Sequence, residues 1–247
     1  MEPLIEICVE GIDGLLAAER GGADRVELCA SLLEGGITPS LATVREARRR
    51  ASVPFHAMVR PRGGDFLYSE AEFATMLEDV ALFCDAGAQG VVIGCLHPDG
   101  TVDVERTGAL VEHAHPASVT FHRAFDMTRD PFAALEALIA CGVDRVLTSG
   151  QRPTATEGLA LLRELRAREG ERITVLGCGA LDERNIAHVR RETGLRELHF
   201  SAPHEAASPM QFRNLLAMGG VAAEREYRLT LTDAERVART IAAARSA

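Results

Sequence analysis

One pattern recurs along the chain: a helical stretch, a glycine and then a hydrophobic strand. It occurs at residues 22–26, 87–91, 142–146 and 194–198. A glycine at the end of a helix readily adopts the left-handed conformation, and the next strand begins at once. Each interval between these glycines is long enough for two strand–helix units, and a further hydrophobic run lies midway in each.

The complete pattern predicts eight strands that alternate with helices, which implies parallel pairing. An α/β fold of the (β/α)8 TIM-barrel type, forming one domain over 1–247, accounts for this number of units. A doubly wound open sheet is the alternative, but the residues after the first strand, 8–11, do not form its usual glycine-rich turn. The predicted strands are 4–8, 24–28, 54–59, 90–94, 118–122, 144–148, 172–176 and 196–200.

Amphipathic stretches between the strands predict helices, for example at 69–85, 131–141, 154–168 and 182–192. One long irregular loop, 202–230, follows the eighth strand and leads to a final helix at 232–245. Loops of this length are more often functional or part of an interface than idle.

Charged and imidazole residues occupy alternate positions in several predicted strands, close to their C-terminal ends. Strand side chains alternate between faces, and helices outside a barrel require an apolar outer face. These polar side chains are therefore expected to point inward and to meet at one mouth, where they need partners or a ligand. The group comprises Glu6, Glu27, His56, Arg60, His122 and His199.

Composition narrows the classes of function. The net charge of -9 argues against a nucleic-acid binder, although a local basic cluster could hold a small anion. No window approaches the roughly 20 apolar residues of a membrane-spanning helix. The acidic N-terminus runs directly into a strand without a signal sequence, so we expect a cytoplasmic protein.

The six cysteines show no disulfide-framework spacing, and reduced thiols are expected. Cys84 and Cys141 precede turn glycines and are most simply small buried side chains. Cys8 and Cys29 fall near the ends of neighbouring strands, where two soft thiolates could bind Cu(I). The simpler alternative is that they too are buried apolar groups.

An arginine-rich loop follows the third strand. Arg60 and Arg62 flank a proline and precede two glycines, an arrangement that could clamp a carboxylate or phosphate. The alternative is that these arginines neutralise Glu6, Glu27 and Asp65.

The fifth strand ends in a second cluster of candidate groups. His122 is a candidate general acid or base, with Arg123 and Asp126 beside it. A histidine that is merely satisfied within the core is the alternative for His122.

The strand ends at Ser149, Gly177, Gly179 and Ser201 carry small residues that could expose backbone N–H groups to an anion. Tight turns need glycine in any case, so the signal is weak.

The motifs together resemble the CutC family of copper homeostasis proteins, over nearly the whole chain. They are Glu6-Ile7-Cys8, the segments 22–29, 34–40, 60–66, 120–126 and 147–150, and the later segments 210–214 and 218–220. The resemblance implies a cytoplasmic TIM barrel, a homo-oligomer (dimer or tetramer), with Cu(I) binding at Cys8 and Cys29.

Three hypotheses follow. The first is a copper-handling protein that binds Cu(I) through Cys8 and Cys29. The second is an enzyme acting on a small anionic metabolite, oriented by Arg60, Arg62 and Arg123 and by the glycine turns. Its proton-transfer groups would be Glu6, Glu27, His122 or Asp126, with His199 in the binding site. The third is a non-catalytic scaffold whose charges pair with one another.

Overall fold

A computed structural model describes residues 2–214, 216–218 and 222–246. Eight parallel strands close into a barrel in which β8 pairs with β1, which confirms the predicted TIM-barrel fold. The strands are β1 (Leu4–Glu10), β2 (Arg25–Cys29), β3 (Phe55–Met58), β4 (Gly90–Ile93), β5 (Ser118–Phe121), β6 (Arg145–Thr148), β7 (Thr174–Gly177) and β8 (Glu197–Phe200).

Helices pack around the barrel, and their ends follow the local sequence. α3 begins with a capping box in which Ser69 and Glu72 satisfy each other's backbone N–H groups. The glycines after the helices, such as Gly22 and Gly87, have φ values of 86° and 91°, as the repeated pattern predicted. The helices are α1 (Gly11–Arg20), α2 (Leu41–Arg50), α3 (Glu70–Asp85), α4 (Val104–Ala114), α5 (Pro131–Ala140), α6 (Leu159–Glu169), α7 (Ile186–Thr193) and α8 (Ala234–Arg245).

Two helices begin later than the amphipathic pattern indicates. α6 starts at Leu159 because the preceding residues form a turn in which Gly158 packs tightly against the carbonyl of Ser149. α7 starts at Ile186 because Asp182 and Asn185 hydrogen-bond to backbone N–H groups within residues 182–185. Side chains of this type compete with the helix for backbone partners.

The segment predicted as an irregular loop, 202–230, contains regular structure. β9 (Pro203–Ala207) and β10 (Arg228–Thr232) form a separate two-stranded antiparallel sheet. The alternation of leucine with polar residues in β10 is the signal that the sequence reading overlooked. Gly219 and Gly220, part of the family resemblance, lie outside the described residues.

The two faces of the barrel wall have different chemistry. Outward-facing residues such as Ile5, Ile7 and Val26 are fully buried in the main hydrophobic core against the helices. Inward-facing residues include charged and neutral polar side chains and two small apolar clusters, one with Cys29 and Met58 and one with Cys178 and Leu176. The polar residues therefore point inward, as the alternation predicted.

Candidate metal centre at the barrel mouth

Cys8 and Cys29 meet on the inner face of the barrel. Parallel pairing aligns Cys8 with Glu27 and Glu10 with Cys29. The two thiols therefore lie on neighbouring strands and are offset by two residues along them. Their Sγ atoms are 4.0 Å apart, and neither cysteine is in a disulfide. Cys29 is buried, whereas Cys8 remains partly exposed. The two thiols are therefore in contact with each other, and Cys8 is partly accessible to solvent.

His199 brings β8 into the same cluster. Its Nδ1 lies 2.8 Å from Oε1 of Glu6, and its Nε2 lies 3.9 Å from Oε2 of Glu27. Glu27 Oε2 also accepts from the thiol of Cys29 at 3.6 Å. The five residues form one connected polar group, which we call the thiol cluster: Glu6, Cys8, Glu27, Cys29 and His199.

Three members of the thiol cluster could ligate one ion. One donor atom each from Cys8, Glu27 and His199 lies within 4.8 Å of the others. Oε1 of Glu27 is buried and has no hydrogen-bond partner among the described residues. A buried acceptor without a partner requires an explanation, and a bound proton or cation supplies one.

Burial and mutual contact set the protonation of this cluster. The hydrogen bond with Cys29 and burial raise the pKa of Cys8 well above its usual value. The hydrogen bond with Cys8 lowers the pKa of Cys29, but burial and Glu27 outweigh it and raise that pKa to about 11. Burial also raises the pKa of Glu27. Without a metal, both thiols therefore carry their protons at neutral pH.

His199 and Glu6 form an ion pair within the cluster. Burial opposes the charge on His199, but Glu27, Cys8 and Glu6 raise its pKa well above the usual value. Burial likewise opposes ionisation of Glu6, but His199 and Arg25 hold the pKa of that carboxyl well below its usual range. The imidazolium–carboxylate pair is the expected state of the metal-free protein.

Below the cluster lies a layer of paired charges that we call the barrel floor: Arg25, Arg145 and Glu197 with Ser118. Arg25 pairs with Glu6 and donates to Glu197 at 2.6 Å. Arg145 donates to the same Glu197 oxygen at 3.1 Å and to Ser118. The sequence reading missed these residues, although Arg25 precedes Glu27 by two positions and shares its face.

The arginines of the loop after β3 are engaged with the protein. Arg62 pairs with Asp65 and Glu72, which agrees with the neutralising alternative for that residue. Arg60 donates instead to the carbonyls of Glu34, Gly36 and Gly64. Glu6 receives its countercharge from Arg25, not from the arginine-rich loop.

The residues after β5 form a separate network. Arg123 pairs with Asp126 at 2.8 Å and donates to Ser149 at the same distance. Asp126 also accepts from Thr148 and from the backbone of Ser149 and Gln151. This carboxylate orders the end of β6, and its catalytic role stays a prediction.

His122 lies apart from that network. Its Nδ1 accepts from the backbone N–H of Ala124, and its ring stands 4.9 Å from that of Phe66. Burial lowers the pKa of His122 to about 3, so the ring is neutral at physiological pH.

Gly177, the last residue of β7, and Gly179 both have packing reasons for their identity. A Cβ on Gly177 would lie 2.5 Å from Leu195, and one on Gly179, where φ is +105°, would lie 2.7 Å from Ser149. Ser201 follows β8 and is exposed. An anion-binding role for these turns stays a prediction.

A surface cavity of about 520 Å³ lies at the opposite, N-terminal end of the barrel. Its arginines are paired: Arg145 with Glu197 and Arg172 with Glu136. The candidate functional groups therefore lie at the mouth and not at this cavity.

Among the described residues, every helix is too short or too polar to span a membrane.

Fold and site together define a TIM-barrel protein whose mouth combines two thiols with an imidazole and carboxylates. The chain belongs to the CutC family, whose profile matches residues 3–204. A CutC family protein from Mesorhizobium japonicum is 65% identical over 99% of this chain and 95% of its own length. A mouse protein named copper homeostasis protein cutC homolog is 45% identical over 95% of this chain and 86% of its own.

Solved structures agree with the fold. That of a putative copper homeostasis protein CutC from Streptococcus agalactiae has a TM-score of 0.77 and 28% identity, covering 80% of this chain and 98% of its own. N-(5'-phosphoribosyl)anthranilate isomerase from Pyrococcus furiosus has a TM-score of 0.57 and 15% identity, with both chains fully covered. At 15% identity, the similarity to this isomerase shows only a shared barrel fold.

Proposed function

We propose that this protein takes part in copper homeostasis by binding one Cu(I) ion at the thiol cluster. Cys8 and Cys29 supply the thiolates, and His199 or Glu27 completes the ligand set. One observation carries the proposal: the two sulfur atoms stand 4.0 Å apart, with Cys8, Glu27 and His199 donors mutually within 4.8 Å. The names of the relatives supply the connection to copper.

The spacing suits a single ion. Metal–thiolate bonds are about 2.3 Å long for zinc, so two such bonds bridge at most about 4.6 Å. A sulfur separation of 4.0 Å falls inside that limit. Thiolates are soft ligands that favour Cu(I) over the hard cations. Cys8, the partly exposed member, offers a route for the ion to enter from solvent.

Protonation gives the site a pH dependence. Ligation requires thiolates, and both thiols have raised pKa values, so Cu(I) displaces protons when it binds. Apparent affinity should therefore rise with pH across the neutral range. The carboxylates of Glu27 and Glu6 favour a cation, but they also raise the pKa of Cys29, so the thiol keeps its proton until a metal binds.

We further propose that the protein works in the cytoplasm as a homo-oligomer, dimer or tetramer. Free thiols persist in a reducing compartment such as the cytoplasm, and all six cysteines are free.

The proposed oligomer rests on large apolar side chains that are exposed beyond β9: Met210, Phe212, Leu216 and Met218. An apolar surface of this kind marks an interaction site. Light scattering on the purified protein measures the subunit number directly.

The test is a competition titration with a Cu(I)-specific chelator under reducing, anaerobic conditions. The wild-type protein should bind one Cu(I) per chain. The Cys8→Ser/Cys29→Ser variant should lose this site. A matched control, Cys84→Ser/Cys141→Ser, removes two thiols at helix ends and should retain it. Equal Cu(I) binding by both double variants would refute the assigned site.

A further inference from the structure

Arg60 is a buried cation without a countercharge. Its side chain is 6% exposed, and no carboxylate among the described residues lies within salt-bridge distance. Three backbone carbonyls accept from its two terminal nitrogens. Its Nε–H is buried and has no partner in the described part of the chain. A buried charge of this kind is costly unless something compensates for it.

His122 places a second unused donor in the same region. Its Nδ1 accepts from Ala124, which leaves the ring proton on Nε2. Nε2 is buried and finds no acceptor among the residues that the structure describes. The Phe66 ring is close to both groups, 5.2 Å from the Arg60 guanidinium carbon and 4.9 Å from the His122 ring.

Tyr68 adds a third group. Its side chain is 4% exposed, and its hydroxyl also has no partner within the described ranges. Burial raises the pKa of Tyr68, and the positive charge of Arg60 opposes that shift. Arg62 lies over the Tyr68 ring, but its own charge is taken up by Asp65 and Glu72.

We propose that Arg60, Tyr68 and His122 form a second binding site at the mouth, which takes the carboxylate group of a small organic acid. The Arg60 Nε–H, the His122 Nε2–H and the Tyr68 hydroxyl, which have no partners among the described residues, would donate to the two carboxylate oxygens. The anion would also neutralise Arg60. His122 and Tyr68 are uncharged, so the site offers one positive charge. That single charge favours a carboxylate over a phosphate dianion.

The second site is distinct from the thiol cluster but adjoins it. Gly36 connects them: its carbonyl accepts from Arg60, and a Cβ added to it would lie 3.0 Å from the sulfur of Cys29. The carboxylate site uses the segment between β3 and α3 and the residue that follows β5, whereas the thiols lie in β1 and β2. The two sites can therefore be tested separately.

The experiment is an NMR titration of copper-free Cys8→Ser/Cys29→Ser protein with acetate, followed at the His122 ring and the Tyr68 ring. This background makes the result independent of the copper proposal. Saturable shifts of both rings are expected. Tyr68→Phe, which removes only the hydroxyl, should weaken acetate binding about tenfold. Arg60→Gln should weaken it about a hundredfold.

The control is Arg172→Gln, which removes an arginine at the far end of the barrel and should leave acetate binding unchanged. If Arg60→Gln does not fold, Tyr68→Phe carries the comparison, because it deletes only a hydroxyl and keeps the buried ring. Absence of saturable shifts, or equal weakening by Tyr68→Phe and Arg172→Gln, overturns the proposal. Tighter binding of inorganic phosphate than of acetate overturns its assignment to carboxylates.

Discussion

The barrel floor and the barrel mouth both contain buried charges, but they differ in how these charges are satisfied. At the floor, Arg25 and Arg145 share Glu197, and Arg25 also pairs with Glu6. At the mouth, Glu27, Arg60 and His122 each keep a buried polar atom without a partner in the described residues. Paired charges at one end support the fold, whereas unpaired groups at the other are available for ligands.

The largest expected effect comes from making the same substitution at both ends. Glu197→Gln removes the countercharge that two floor arginines share, and we expect a loss of about 3 kcal/mol in the free energy of unfolding. Glu27→Gln removes a carboxylate whose ion-pair partner among the described residues is His199, 3.9 Å away, so its loss should stay below about 1 kcal/mol. Urea unfolding measures the loss of stability in each variant. Equal losses would contradict the proposed difference between the barrel floor and the mouth.

The buried neutral histidines should make the protein sensitive to acid. Burial lowers the pKa of His56 and His122 to about 3 each, below the value near 6.5 of an unfolded chain. As pH falls, the unfolded chain therefore binds protons first. The stability from these neutral rings is complete above about pH 6.5 and is lost progressively towards pH 3.

Between about pH 6.5 and pH 3, each of these histidines should make the free energy of unfolding fall by about 1.4 kcal/mol for every pH unit of acidification. His56→Leu should remove one contribution between about pH 5.5 and 4.5, above the range where most carboxylates titrate. His188→Leu, which deletes an exposed imidazole, serves as the control. Identical slopes for wild type and His56→Leu, from urea unfolding at each pH, would count against a neutral buried His56.

A smaller effect is expected at the loop that covers Cys29. Gly36 has φ of +86°, and an added Cβ would lie 3.0 Å from the Cys29 sulfur. Gly170 has φ of +59° with open space around it. Alanine at either position should cost about 1 kcal/mol in stability. Only Gly36→Ala should also weaken Cu(I) binding, by about tenfold, since it alone presses on a ligand.

Much of this architecture is predictable from the sequence because it depends on local rules. Turn glycines and alternating hydrophobic residues locate all eight strands, and alternation alone places Glu6, Glu27 and His199 on the inner face. Which of them touch depends on the stagger between neighbouring strands, which no local pattern encodes. Alignment of Glu6 with both Arg25 and His199 is a result of that stagger.

The residues that sequence reading missed have identifiable reasons. Arg25 and Glu197 lie at the N-terminal ends of their strands, away from the end where TIM-barrel sites are expected. Tyr68 lies in the segment between β3 and α3, which has no periodicity, and no local pattern indicates that its hydroxyl is buried without a partner among the described residues. Conversely, Arg62 looks like a ligand clamp in sequence, and the geometry joins it to Asp65 and Glu72.

Copper K-edge X-ray absorption on the wild-type protein loaded with one equivalent of Cu(I) tests the central claim most directly. We expect two sulfur neighbours at about 2.3 Å and one nitrogen or oxygen neighbour from His199 or Glu27. The Cys8→Ser/Cys29→Ser protein should show no sulfur shell. A wild-type spectrum with only nitrogen and oxygen neighbours, or an unchanged sulfur shell in the double variant, would contradict the account.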